Sequence, residues 1–132
     1  MIAIDTNILV RFLLSDDKKQ SEKVYKFFKD TESKNDEIHV PILVIIELLW
    51  VIESVYEIER KDIINSLDQL ILMPIFNFEH LSAIQEFVVD AKNNNYDLSD
   101  LLIAHTAPNS KCSFIITFDK KASKHDLFKL LK

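Results

Sequence analysis

Short apolar runs alternate along this chain with longer stretches in which apolar side chains recur every three or four positions. Residues 2–5 read as a short strand that is apolar on both faces. Asp5-Thr6-Asn7 then offers helix-capping side chains ahead of the apolar run 8–14. A polar helix is predicted over 16–31, with Val24, Phe27 and Phe28 on its inner face. Ile38-His39-Val40 is a second strand, and Pro41 suits the first turn of a helix running to about residue 56. Over 59–72, Ile63, Ile64, Leu67, Leu70 and Ile71 fall at helical spacing. Residues 73–76 are a third strand, and Asn77 is placed to cap a helix over 78–93 with Leu81, Ile84, Phe87 and Val88 facing in. Asp97-Leu98-Ser99-Asp100 resembles a capping box before a short apolar helix. Residues 114–118 form the clearest strand. The tail beyond Asp119 is basic and expected to be helical, with an edge strand near 127–131.

Short apolar strands separated by helices indicate an α/β fold, a parallel sheet of four or five strands flanked by helices. In such sheets ligands bind at the carboxyl ends of the strands. Four acids interrupt this apolar pattern. Asp5 ends the first strand, Glu47 is the only charge between Pro41 and Ile52, Asp100 heads an apolar helix, and Asp119 follows the clearest strand. An isolated carboxylate in apolar company is costly and acquires a proton, an ion partner or a metal. Four of them are expected to face one rim and form one acidic site.

Each acid also has a plainer explanation. Asp5 and Asp119 could simply cap the helices predicted after them. Asp100 could be the third-position acid of a box begun by Asp97, where the helix dipole favours negative charge. Glu47 resists this account. Its helical neighbours Leu43, Val44, Trp50 and Val51 are all apolar, which leaves burial beside an arginine or a role in a site. Trp50, Phe27, Phe28 and Phe87 lie at core spacing and read as packing.

Length and composition narrow the field. A chain of 132 residues is the size of one domain, taken here as 1–132. The apolar stretches are too short to span a bilayer. No basic segment precedes an apolar one at the N-terminus, so a secretory leader is not expected. The lone Cys112 excludes an internal disulfide and suits a reducing compartment, so cytoplasm is the expected location. The net charge of −5 argues against a general nucleic-acid coat protein but not against a metal-dependent nuclease. The absence of glycine removes the Gly-rich phosphate loops and leaves tight turns to Asn93-Asn94-Asn95 and Pro108-Asn109-Ser110. His39, His80, His105 and His125 show no metal-ligand spacing with one another or with Cys112, so no structural zinc site is expected. Lys120, Lys121 and Lys124 form a basic cluster beside Asp119, either a solvated face or a guide for phosphates.

Taken together, Ile4-Asp5-Thr6-Asn7, the lone Glu47, the segment from Asp97 to Ala104, and Thr117-Phe118-Asp119 resemble a PIN domain. The resemblance is nearest to the VapC-type toxins of bacterial and archaeal toxin–antitoxin pairs, and it covers nearly the whole chain. It implies a central parallel sheet and a ribonuclease that requires Mg²⁺ or Mn²⁺. By motif position, Asp5, Glu47, Asp100 and Asp119 match the family's acidic quartet as catalytic and metal-holding residues. Thr6, Asn7, Asp97 and Thr117 fall where residues support the acids or the substrate. The resemblance further implies an RNA substrate, a homodimer and a cognate antitoxin. One departure concerns the loop before the last strand: a small residue, often glycine, is common there, and this chain has Ser110-Lys111-Cys112-Ser113.

Other functions fit less of the sequence. A phosphatase with Asp5 as nucleophile would want a second Asp two residues on, where Asn7 stands. A non-catalytic PIN-fold binding module would be expected to lose acids. An RNA maturation or quality-control nuclease with no antitoxin would keep the same chemistry.

Overall fold

The computed structural model describes residues 1–132, apart from the side chains of Asn109 and Ser110. Its contacts divide the chain into two compact units, Met1–Leu81 and Ser82–Lys132. In the first unit, strands β1 (Ile2–Ala3), β2 (Ile38–Val40) and β3 (Phe76–Phe78) form a parallel sheet in the order β1-β2-β3. Parallel neighbours need crossover connections. Helices α1 (Thr6–Leu14) and α2 (Lys18–Ser33) provide the first, and α3 (Ile42–Ser54) and α4 (Arg60–Leu70) the second.

The core of this unit follows the helical spacing seen in the sequence. Leu9, Ile38, Val40, Ile45 and Ile63 are fully shielded from solvent, and Leu48, Leu67 and Leu70 nearly so. Phe28 packs edge-on against Phe12 and Phe76, with ring centroids 4.9 and 5.3 Å away. Such pairs add to the stabilisation from area burial.

Several expectations are corrected. The third strand begins at Phe76, where the apolar run 73–76 predicts its end. Phe76 and Phe78 are buried and Asn77 is exposed, so the two-residue period lies in Phe-Asn-Phe. Asn77 therefore caps no helix: its Oδ1 lies 2.9 Å from His39 Nδ1 on the adjacent strand. Trp50 is 60% exposed and is not part of the core.

In the second unit, α5 (Leu81–Ala91) and α6 (Leu98–Thr106) are followed by a 3-10 turn at Ala107–Ser110, strand β4 (Ile115–Thr117), a second 3-10 turn at Ala122–Lys124, and strand β5 (Phe128–Leu130). The tail is thus a single turn where the sequence pattern predicts a helix, followed by the edge strand expected near 127–131. β4 and β5 pair in parallel, with Ile115 opposite Phe128 and Thr117 opposite Leu130. The turn expected at Pro108-Asn109-Ser110 is seen in the backbone, while the side chains of Asn109 and Ser110 lie outside the described part. Ala104, Ala122 and Phe128 form a small core with Ile115 and Leu127. The two alanines allow the α6 backbone and the tail to approach closely.

The chain meets the lack of glycine with side-chain-bearing residues at positive φ: Ser15, Asn35, Glu57, His80 and Lys111. Lys111, at φ 64°, ends the first 3-10 turn in the left-handed region. That conformation explains why glycine suits this loop, and it carries a steric cost of about 1–2 kcal/mol for a residue with a Cβ. Among the described residues every strand pair is parallel and the fold is α/β, with three strands in one sheet and two in the other. Among the described residues, no helix is long and apolar enough to cross a membrane.

Candidate active site

Asp5 lies just beyond β1 and is the N-cap of α1. Its Oδ1 accepts from the Ile8 N–H at 3.4 Å. Thr6 is buried behind it, and Asn7 is exposed. Asp5 and Asn7 line an open cleft of about 370 Å³ with Ile8, Arg11, Gln20, Lys23 and Val24. Sequence reasoning missed Arg11, Gln20 and Lys23. The cleft forms where α1 meets α2, and the only local trace is Ser15, whose left-handed backbone turns the chain between them. Arg11 is occupied: its guanidinium holds Gln20 Oε1 at 2.6 Å and Asp16 Oδ1 at 3.1 Å. The Tyr56 hydroxyl donates to Asp16 at 2.7 Å, and this bond in particular holds the Asp16 carboxyl below the usual range.

Glu47 is exposed, with Leu43 61% and Trp50 60% exposed on either side of it along α3. The apolar neighbours predicted from helical spacing are there, but they do not bury it. They form an open apolar stripe with one carboxylate at its centre, while Val44, Ile45, Leu48, Leu49 and Ile52 turn to the core.

In the second unit, Asp97 is the N-cap of α6 and accepts from the Asp100 N–H at 3.1 Å. The capping reading therefore holds for Asp97, and the Asp100 side chain is not the cap. Burial pushes the Asp100 carboxyl up from the ordinary aspartate range, and the negative charges of Asp97 and Asp119 push it further. Asp119 sits beyond β4. Its Oδ1 accepts from the N–H groups of Lys121 at 2.8 Å and Ala122 at 3.1 Å, and its own N–H donates to Thr117 Oγ1 at 2.9 Å. Thr117 thus supports Asp119 directly. Lys120, Lys121 and Lys124 are exposed or partly so, and the Lys121 ammonium donates to the Asn95 carbonyl at 2.8 Å.

Within each unit, then, a carboxylate stands just past a strand end. In the second unit the half-buried Asp100 carboxyl faces the negative charges of the exposed Asp97 and Asp119. Oxygen donors of this kind suit a hard divalent cation. Their oxygen chemistry fits such an ion, but among the described residues Asp97, Asp100 and Asp119 do not bring three ligand atoms as close together as a metal-holding group requires.

Another cluster had no sequence signal at all. Asp90 Oδ2 lies 2.8 Å from His105 Nε2 and 2.9 Å from His125 Nε2. The three residues come from α5, α6 and the segment before β5, and their ligand-type atoms converge closely enough to hold a metal. His105 and His125 show no metal-ligand spacing in the sequence, and the fold nonetheless brings them to one carboxylate oxygen. Burial alone would push the Asp90 carboxyl up, but its hydrogen bonds to His125 and His105 outweigh that and bring it below the usual range.

A parallel α/β fold with acids past its strand ends defines a class of protein that the family comparison identifies directly. The family model described as the PIN domain matches residues 2–127, and the chain belongs to that family. Among curated proteins it is similar to a VapC ribonuclease of Aquifex aeolicus (strain VF5). The two are 27% identical over 124 residues, covering 94% of this chain and 91% of the relative.

Proposed function

We propose that this chain is a divalent-metal-dependent endoribonuclease and the toxin of a toxin–antitoxin pair, acting as one PIN domain in the cytoplasm. Family membership and the similarity to a VapC ribonuclease support this reading. The observation that carries it is Asp100, half-buried at a helix start and facing the negative charges of Asp97 and Asp119, a crowding that a cation would relieve. Asp5, Glu47, Asp100 and Asp119 are the carboxylates assigned to Mg²⁺ or Mn²⁺. A bound divalent ion supplies a more acidic water and charge stabilisation for the phosphate being cut. Thr117 holds Asp119 in place, and Asp97 fixes the helix start that carries Asp100. Asn7, Thr6 and the lysines Lys120, Lys121 and Lys124 are assigned to substrate contact. Lys23 beside Asp5 adds a further cation for an RNA phosphate.

The partners come from the same reading: RNA, a second copy of the chain and a cognate antitoxin. The exposed apolar stripe of Leu43 and Trp50 around Glu47 favours a protein partner on α3. The same stripe is the observation that favours the alternative, a non-catalytic PIN-fold binding module.

Incubating the purified chain with RNA and Mg²⁺ or Mn²⁺, with and without EDTA, separates the two. The expected result is cleavage that EDTA abolishes and that Asp5→Asn lowers at least a hundredfold, about the scale of losing one transition-state charge contact. Equal cleavage in all tubes would sink the nuclease reading.

A further inference from the structure

We propose that Asp90 is a positioning residue that holds the two acid-bearing segments of the second unit in register through His105 and His125. This rests on the assignment of Asp100 and Asp119 to the cation. Asp100 stands in the first turn of α6, and His105 lies in the last. Asp119 opens the turn that ends at His125: it accepts from the N–H groups of Lys121 and Ala122, and the His125 N–H donates to the Ala122 carbonyl at 3.0 Å. Each of these rigid pieces therefore has a carboxylate at one end and an imidazole at the other. Both imidazoles reach the same oxygen of Asp90. Asn94 fixes the other oxygen, its amide donating to Asp90 Oδ1 at 2.8 Å. The tail is also tied by Lys121 to Asn95, and His125 packs edge-on against Tyr96 at 5.5 Å.

A cluster of one aspartate and two histidines invites a metal, but the hydrogen-bond geometry at His125 fits a hydrogen-bonded clasp. The Leu127 N–H donates to His125 Nδ1 at 3.1 Å. A neutral imidazole that accepts at Nδ1 carries its proton on Nε2, the nitrogen facing Asp90. That nitrogen is a donor, with no lone pair for an ion. A metal-bound histidine is arranged the other way, with its remote nitrogen donating an N–H. His105 lies between two carboxylates, Asp90 and, at 3.6 Å from its Nδ1, Glu86. The two rings meet at 89°, and each presents its Nε2 to the shared oxygen.

The test is RNA cleavage by the full chain across a Mn²⁺ titration, comparing wild type with Asp90→Ala, Asp90→Asn and Asp100→Asn. Asp90→Ala is expected to raise the half-saturating Mn²⁺ concentration about tenfold or more and to lower kcat, with KM for RNA nearly unchanged, as for the loss of a group that orients metal ligands. Asp90→Asn keeps a carbonyl that accepts both N–H groups, and it is expected to restore half-saturation to within about threefold of wild type. A folded Asp90→Ala with unchanged Mn²⁺ dependence overturns the clasp, and if Asp100→Asn is then inactive the nuclease assignment stands. Wild type without divalent-dependent cleavage overturns both. If Asp90→Ala does not fold, His105→Phe and His125→Phe each remove one arm, and unchanged half-saturation in both overturns the proposal. A Zn²⁺ titration by calorimetry completes the test. One-to-one binding that is kept in Asp100→Asn but lost in His105→Phe would make the cluster a metal site and overturn the clasp.

Discussion

Asp100 shows how much a single position can report. Its backbone N–H serves the Asp97 cap, so its carboxyl is held at a helix start that is partly buried and faces two other negative charges. The favourable helix dipole is outweighed there. A carboxyl raised in the folded state means that the folded state binds its proton more tightly than the unfolded chain. Stability from this group is fully present below the unfolded value and is lost as pH rises through the raised folded value. At neutral pH the metal-free protein is therefore destabilised by Asp100. Asp100→Asn is expected to raise the thermal midpoint of metal-free protein at pH 7, with the gain shrinking toward pH 3. A lower midpoint at pH 7 in calorimetry would count against this account. Asp90 has the opposite sign. Its lowered carboxyl adds stability above the ordinary aspartate value, and that stability is lost as pH falls through the lowered one. The caps at Asp5 and Asp97 were legible because capping is a local contact between residues three apart. The Asp90 clasp was not, because its members share no spacing.

At the scale of elements, α3 separates what periodicity predicts from what it leaves open. An almost wholly apolar helix gives no direction to its faces, so Trp50 read as core and Glu47 as enclosed. The fold turns Val44, Ile45, Leu48, Leu49 and Ile52 inward and leaves Leu43, Glu47 and Trp50 open. Leu48→Ala is expected to cost about 2–5 kcal/mol, as for a fully buried leucine. Trp50→Ala should change stability by less than about 0.5 kcal/mol, while weakening self-association or antitoxin binding. Urea unfolding and light scattering would check the two halves. A large loss of stability in Trp50→Ala would place it in a core after all. Strand β3 teaches a related lesson. Met73-Pro74-Ile75-Phe76 is the more apolar run, yet Phe-Asn-Phe is the strand, its buried and exposed positions alternating with the strand's two-residue period.

For the whole molecule, the charge balance gives the clearest expectation. The chain carries a net charge of −5, and part of that charge is concentrated at Asp97, Asp100 and Asp119. A cation that binds the folded chain alone stabilises it by mass action, about 2.7 kcal/mol at a hundredfold excess over Kd. Mn²⁺ is therefore expected to raise the unfolding midpoint by several degrees in wild type and to have little effect on Asp100→Asn. An equal rise in both, measured by thermal scanning, would locate the ion elsewhere.

By itself the sequence determined the alternation of strands and helices, the caps, the acids that break the apolar pattern, and the family resemblance they carry. These depend on contacts between near neighbours and on the order of residues. Only the tertiary structure decided which face of α3 is covered, where β3 begins, that Lys111 takes the left-handed turn in place of glycine, and that Asp90 gathers His105 and His125. Each of those depends on which distant segments are brought together, and burial and hydrogen-bond geometry are properties of that assembly.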